Sequence, residues 1–67
     1  ESVVLNGAAA LSEVRLYTVN GELLMVEKAD EAGRATLNVA EVPEGKYLVV
    51  YQDAADQNHT EQLMVAR

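Results

Sequence analysis

The sequence predicts an all-β protein, a small antiparallel β-sandwich of about six to seven short strands. Short runs of β-branched and other apolar residues recur along the chain, and polar turn signals separate them. Two of the runs are joined by Asn20-Gly21, and the longest run follows the turn formed by Pro43, Glu44 and Gly45. Many short strands with turns between them are typical of a two-layer β fold.

The predicted core strand comprises residues 47–52, whose valine, leucine and tyrosine side chains suit a pleated, buried surface. Pro43 presets the φ angle that the preceding turn needs, and Gly45 tolerates a positive φ. We therefore expect every other element to pack against this strand.

The two faces of that strand are both apolar. Tyr47, Val49 and Tyr51 share one face, and Leu48 and Val50 share the other. A two-layer sandwich buries only one of them. The sequence leaves four alternatives for what covers the second face: loops, a second copy of the chain, the parent protein or a receptor.

The first part of the chain predicts two strands and a connection between them. Residues 2–5 form a short β-branched run that ends at the turn Asn6-Gly7. Residues 8–11 favour a helix but are too few to form one alone, so we interpret them as a connection. Residues 14–19 follow as a second strand, with Val14 and Leu16 on one face.

Asn20-Gly21 between two apolar runs predicts a hairpin closed by a type I′ turn, which needs a positive φ at both central residues. The second arm is expected to end near Lys28. The competing interpretation is a helix over residues 22–31, because leucine, methionine, glutamate, lysine and alanine favour helices.

The remaining elements are a loop, a strand, a loop and a last strand. Residues 29–34 are polar and contain glycine, so they predict a loop, and residues 35–40 alternate as a half-buried strand. After the core strand, residues 53–59 predict a second loop. Residues 60–67 predict the final strand, with Leu63 and Val65 on the same face.

Composition limits the class of protein. The 67 residues form one small domain of marginal stability, with 11 acidic and 5 basic side chains, a net charge of −6 and no cysteine. This charge argues against binding nucleic acid or anionic lipid. No apolar run is long enough to span a membrane as a helix. Because the chain opens on Glu1 rather than on a methionine, we expect a fragment of a larger protein or a processed chain.

The sequence predicts no enzyme, cofactor or metal site. His59 is the single histidine, cysteine is absent, and Ser2 and Ser12 have no partner base at a supporting spacing. The oxygen-bearing residues at 53, 56, 58 and 61 lack the spacing of a calcium loop, so a solvated acidic loop is expected. Asn58-His59-Thr60 also fits the short sequon for N-glycosylation, which often arises by chance.

Three stretches resemble the C-terminal sorting domains of type IX secretion cargo in Bacteroidetes. Residues 14–24, V-R-L-Y-T-V-N-G-E-L-L, resemble the V-x-I-Y-D-x-x-G-x-x-V block of that family. Residues 42–49, V-P-E-G-K-Y-L-V, resemble its L-P-x-G-x-Y-x-V block, and residues 63–67, L-M-V-A-R, resemble its terminal K-L-x-V-x block. The three blocks occur in the family's order across nearly the whole chain.

The resemblance implies an immunoglobulin-like β-sandwich that serves as an address on an exported protein. It implies as partners an outer-membrane translocon, a sorting peptidase that commonly removes the domain at the cell surface, and an N-terminal cargo domain of the same chain; a homodimer is a further expected partner. The implied location is the periplasm in transit, then the cell surface or the medium. The residues assigned to recognition and sorting are Leu63, Val65, Arg67, Gly45, Tyr47 and Val49. The residues assigned to structure are Tyr17, Asn20, Gly21 and Pro43.

The chain departs from the family pattern at a few positions. Thr18 stands where aspartate is frequent, Val42 where leucine is frequent, and Glu61-Gln62 where lysines usually precede the terminal block. Two alternative functions are an uncleaved structural or adhesive module of a surface protein and a glycan- or lipopolysaccharide-binding module. Glycan-binding modules usually bind through exposed aromatic side chains. This chain has three tyrosines and no tryptophan or phenylalanine, which argues against the glycan-binding alternative.

Overall fold

A computed structural model describes residues 2–66, in which six strands and no helix occur. The strands are β1 (Ser2–Leu5), β2 (Glu13–Thr18), β3 (Leu23–Lys28), β4 (Ala35–Asn38), β5 (Gly45–Gln52) and β6 (Asn58–Val65). The predicted all-β class is confirmed. The helix considered for residues 22–31 is wrong, because β3 occupies this stretch and pairs with β2. Within residues 2–66 nothing forms a helix long and apolar enough to cross a membrane.

The strands form two antiparallel sheets, as the predicted sandwich requires. One sheet has four strands in the order β3-β2-β5-β6, and the other consists of β1 and β4. β5, the predicted core strand, lies inside the larger sheet, where it pairs with β2 on one side and β6 on the other. The longest apolar run of the sequence therefore has the most protected position.

The core lies between the two sheets. Val14 and Leu16 of β2 and Leu37 of β4 are fully buried, and Val49 lies directly opposite Leu16 across the β2–β5 pair. Alternation explains this placement, because successive side chains of a strand point to opposite faces. Fully burying each of these side chains stabilises the fold by roughly 1.5–3 kcal/mol. Most of the remaining core side chains are valine and alanine, so the core is small.

Three loops share one backbone geometry, and each begins with a residue whose side chain accepts two backbone N–H groups. Thr18 Oγ1 accepts from residues 20 and 22, Asp30 Oδ1 from residues 32 and 34, and Asp53 Oδ1 from residues 55 and 57. The fourth residue of each loop has a positive φ, at Gly21, Gly33 and Asp56. Side-chain oxygens that accept local N–H groups favour such turns.

The turn type predicted at Asn20-Gly21 is wrong, although the hairpin itself is confirmed. A type I′ turn needs two positive φ angles, whereas here Gly21 has φ 90° and Asn20 is not among the residues with positive φ. The hairpin instead closes through a backbone hydrogen bond from Thr18 to the Glu22 carbonyl oxygen. Val19, Asn20 and Gly21 thus form a three-residue loop, which is a common alternative that carries its positive φ at the last residue.

Several strand boundaries differ from the sequence prediction. β2 comprises residues 13–18 rather than 14–19, and β4 ends at Asn38 rather than at residue 40. β6 begins at Asn58 rather than at Thr60, because Asn58 and His59 already pair with Gln52 and Tyr51 of β5. β5 likewise begins two residues early, at Gly45, which pairs with Val65. Arg67, included in the predicted last strand, lies outside the described residues.

Candidate recognition surface

The turn before β5 is joined to that strand by one side chain. The Tyr47 hydroxyl donates a hydrogen bond of 2.5 Å to the Pro43 carbonyl oxygen. Gly45 lies between them with φ 155°, and a Cβ atom at this position would lie 3.9 Å from Cε2 of the Tyr47 ring. The P-x-G-x-Y spacing is therefore a local structure in which the proline carbonyl accepts, the glycine turns and the tyrosine closes the turn.

The block over residues 14–24 forms the β2–β3 hairpin. Val14 and Leu16 point into the core, whereas Tyr17 lies on the opposite face, across from Leu48 of β5 and Leu23 of β3. Thr18 occupies the position where aspartate is frequent in the resembled family. Because Asp30 and Asp53 accept the same two N–H groups in their loops, threonine here keeps the acceptor that an aspartate would supply.

The terminal block forms the second half of β6, at an edge of the four-stranded sheet. Leu63 lies opposite Tyr47 on the inner face and is partly buried, and Val65 is buried opposite Gly45. The predicted common face of Leu63 and Val65 is therefore confirmed. The predicted role of Arg67 concerns a residue outside the described part of the chain.

The residues assigned to recognition differ in accessibility. Tyr47, Val49 and Val65 are buried in the core, and their side chains do not reach the surface of the folded domain. Leu63 and Gly45 are partly exposed. The recognition roles of all five stay predictions. The three buried residues contact other core side chains, as structural residues do.

The outer side of the four-stranded sheet is not covered by the second sheet, and we name it the open face. Its apolar members come from all four strands, and the register puts them on one side. They are Tyr17, Leu23, Val26, Leu48, Val50 and Met64. Leu23, Val26 and Met64 are 49%, 42% and 64% exposed.

Sequence reasoning found part of this surface. The alternation of the core strand put Leu48 and Val50 on one face and indicated that one of the two apolar faces of that strand would be uncovered, without deciding which. It did not find Leu23, Val26 and Met64, because their placement beside β5 depends on the strand order. Alternation within each strand is the signal that would have found them once that order is known.

A hydrogen-bonded histidine–aspartate pair joins β6 to the loop that follows β5. His59 Nε2 lies 2.6 Å from Asp53 Oδ2, and the His59 ring stacks on Tyr51 with centroids 5.1 Å apart. The hydrogen bond from His59, then those from the backbone of Gln57 and Ala55, hold the pKa of Asp53 below its ordinary value. Among residues 2–66 no three histidine, cysteine, aspartate or glutamate side chains are grouped as metal ligands would be.

Tyr51 of β5 makes a second contact with β6 beside this pair. Its hydroxyl lies 3.3 Å from Glu61 Oε2, to which it donates a hydrogen bond. Burial, followed by the nearby negative charge of Glu61, raises the pKa of Tyr51 above its ordinary value. Tyr51, Asp53, His59 and Glu61 thus form a polar cluster that joins the two ends of the β5–β6 connection.

Comparison with known families gives a match that spans all the described residues. The family model of the secretion system C-terminal sorting domain matches residues 2–66. Searches of curated proteins and of solved structures returned no match. The family match includes all three sequence blocks except Arg67, and each block has a defined place in the sandwich. The chain therefore belongs to the family of C-terminal sorting domains, which mark proteins for export by the type IX secretion system.

Proposed function

We propose that this domain carries an N-terminal cargo of the same chain from the periplasm through the outer-membrane translocon, and that a sorting peptidase then removes the domain at the cell surface. The observation that carries the proposal is the family match over residues 2–66. The domain acts as a sorting signal that other proteins recognise, so its surface is the functional site.

The translocon recognises the folded sandwich rather than a short linear peptide. The residues of the second block support this step, because Tyr47 and Val49 are buried and Pro43 is held by the Tyr47 hydroxyl. A short exposed peptide signal would need none of these contacts. In this proposal the buried block residues act through the fold, and the translocon contacts the side chains that the fold leaves exposed.

In this proposal the domain acts by recognition rather than by catalysis. A groove of about 530 Å³ lies between β3 and the segment that leads into β5, and it is lined by Leu24, Met25, Val42 and Pro43 with Glu41 as its ionisable side chain. A general acid and base, or a nucleophile with a base, need at least two such groups in reach of one substrate. The ionisable side chains around His59 are instead bonded to one another.

Truncation of the terminal block tests the proposal. A reporter enzyme is given a signal peptide and this chain at its C-terminus, and is expressed in a host with a type IX secretion system. Deleting residues 63–67 should leave active reporter in the periplasm, whereas the intact fusion reaches the cell surface or the medium. Export of the truncated fusion at the level of the intact fusion would contradict the proposal.

Folding must be separated from recognition, because the deletion removes the buried Val65. Urea unfolding of the purified fusions supplies the control for the sorting domain. A retained structural or adhesive module predicts a different result, namely lower stability of the truncated domain with unchanged export. Analysis of the exported reporter by mass then reports whether the domain has been removed at the surface.

A further inference from the structure

The open face and the rest of the domain have net charges of opposite sign. The open face carries Arg15, Lys28 and Lys46 against the single carboxylate of Glu13, which makes it +2. The remaining described residues carry nine carboxylates against Arg34, a net charge of −8. Glu1 and Arg67 cancel, so the two sides account for the total of −6. A basic apolar face thus stands on an acidic domain.

The two lysines of the open face are available to a partner. Arg15 forms an ion pair with Glu13 at 2.5 Å, whereas neither Lys28 nor Lys46 has an ion-pair partner among residues 2–66. Lys28 lies at the end of β3, opposite Glu13, and Lys46 lies opposite Met64 at the β5–β6 edge. The lysines therefore border the apolar side chains on two sides.

This arrangement has the composition of a binding interface. Apolar side chains at the centre and charged side chains at the rim are typical of protein–protein contacts. Leu48 and Tyr17 lie directly opposite each other in the middle of the sheet, on the interior strands β2 and β5. Rim charges set the choice of partner and the rate of encounter more than the final affinity.

We propose that the open face is the surface by which the secretion machinery holds this domain, and that the complementary surface of the machinery is a protein surface with apolar side chains ringed by carboxylates. This inference rests on the function proposed above and names the site and the partner chemistry. The charge division favours this partner, since an acidic protein surface is attracted to the open face and repelled by the summed negative charge of the remaining described residues.

Charge argues against a second copy as the occupant of the open face. A second copy docked face to face would bring two +2 surfaces together. A copy docked by its acidic side would make a head-to-tail contact that continues into a chain rather than closing as a dimer. An anionic membrane would be attracted by the same lysines as an acidic protein surface, so flotation with anionic vesicles distinguishes the two.

The test uses the reporter fusion with two pairs of matched variants. The double variant K28Q/K46Q and the variant R34E both bring the total charge from −6 to −8, but only the first changes the open face. L48T and V4T each remove one apolar side chain from an exposed sheet surface, the first on the open face and the second on β1. K28R/K46R retains the positive charge and serves as the rescue variant.

Export should fall about two- to tenfold for K28Q/K46Q and for L48T, with R34E, V4T and K28R/K46R within about twofold of the unchanged chain. Urea unfolding of the purified fusions measures the stability of each variant, and export is compared among the variants that remain folded. Equal export by all variants, in a host where the unchanged chain is exported, overturns this inference and leaves the proposed function standing. Failure of the unchanged chain to export the reporter overturns the proposed function itself.

Two further measurements distinguish the other occupants. Sedimentation of the purified fusion should give a monomer. A dimer abolished by L48T would show that the open face binds a second copy of the chain and would overturn the inference. Flotation with vesicles of anionic phospholipid should leave the fusion unbound. Vesicle binding abolished by K28Q/K46Q would overturn the inference in favour of a membrane.

Discussion

The Tyr47 hydroxyl donates a hydrogen bond to the Pro43 carbonyl oxygen four residues earlier, and the ring of Tyr47 is buried. This contact closes the turn that leads into β5, the strand paired on both sides in the larger sheet. A tyrosine hydroxyl bonded to backbone a few residues upstream is a known device of immunoglobulin-like sandwiches. Here it gives the P-x-G-x-Y block a structural reason for each of its three residues.

Replacing Tyr47 with phenylalanine should lower the free energy of unfolding by about 1–2 kcal/mol, because the change removes the hydrogen bond to Pro43 and keeps the buried ring. Urea unfolding measures this loss. Tyr17→Phe is the matched control, since no described residue accepts a hydrogen bond from the Tyr17 hydroxyl. Equal effects of the two substitutions would show that the contact with Pro43 contributes nothing.

Gly33→Ala should cost far more stability than Gly21→Ala, although both glycines have positive φ angles of 78° and 90°. A methyl group at Gly33 would lie 2.2 Å from the backbone oxygen of Ala8, whereas no atom lies within 4 Å at Gly21. We expect about 1 kcal/mol at Gly21 and roughly 3 kcal/mol at Gly33. Thermal or urea unfolding of the two variants measures both losses of stability. A loss at Gly21→Ala that equals or exceeds the loss at Gly33→Ala would contradict the prediction.

Thr18→Ala should destabilise the β2–β3 hairpin by about 1 kcal/mol, because it removes the acceptor of two backbone N–H groups. Thr18→Asp should keep the stability of the unchanged chain, since aspartate fills the same role at positions 30 and 53. Val19→Ala, at an exposed neighbouring residue, is the control. The interpretation fails if Thr18→Asp is as destabilising as Thr18→Ala.

Stability should fall in acid, in part because of Asp53. Hydrogen bonds from His59 and from the Gln57 backbone lower its pKa in the folded state, so between the folded and unfolded pKa values the unfolded chain binds more protons. The contribution is present above the unfolded pKa, near 3.8, and disappears as the pH falls through the lower folded value. Unfolding midpoints measured from pH 6 to pH 2, about the range in which carboxyl groups titrate, follow this loss.

Asp53→Asn supplies the control for the acid prediction. Asparagine keeps an oxygen that can accept the backbone N–H groups but does not titrate in this range. The variant should therefore lose less stability between neutral and acid pH than the unchanged chain. The same acid loss in both chains would remove Asp53 from the explanation and leave other carboxyl groups, such as Asp30, whose pKa is lowered mainly by the Arg34 backbone N–H.

Most of the strands could be predicted from the sequence because their signals are local. Alternation identified the buried partners Leu37 and Val39, and Asn20-Gly21 identified the hairpin even though its turn type was wrong. The positive φ of Asp56 had no such signal, since aspartate rarely adopts this conformation. Sequence reasoning therefore placed the loops but missed the geometry that three of them share.

The candidate site could be predicted only in part, because it depends on which strands are neighbours. Alternation put Leu48 and Val50 on one face of the core strand but did not decide that this face is the uncovered one. The pairing of β5 with β2 and β6, which brings Lys46, Leu48 and Tyr17 to the same surface, joins residues far apart in sequence. Charge counted along the chain gave −6 and concealed a basic face. The charge division appears only once the register is known.

Transfer of the domain to an unrelated reporter tests whether this chain directs export. A reporter with a signal peptide is expressed with and without this chain in a host that has a type IX secretion system, and the extracellular fraction of reporter activity is measured. The account predicts that most of the activity reaches the cell surface or the medium only when the chain is present. Equal extracellular fractions with and without the chain would contradict it.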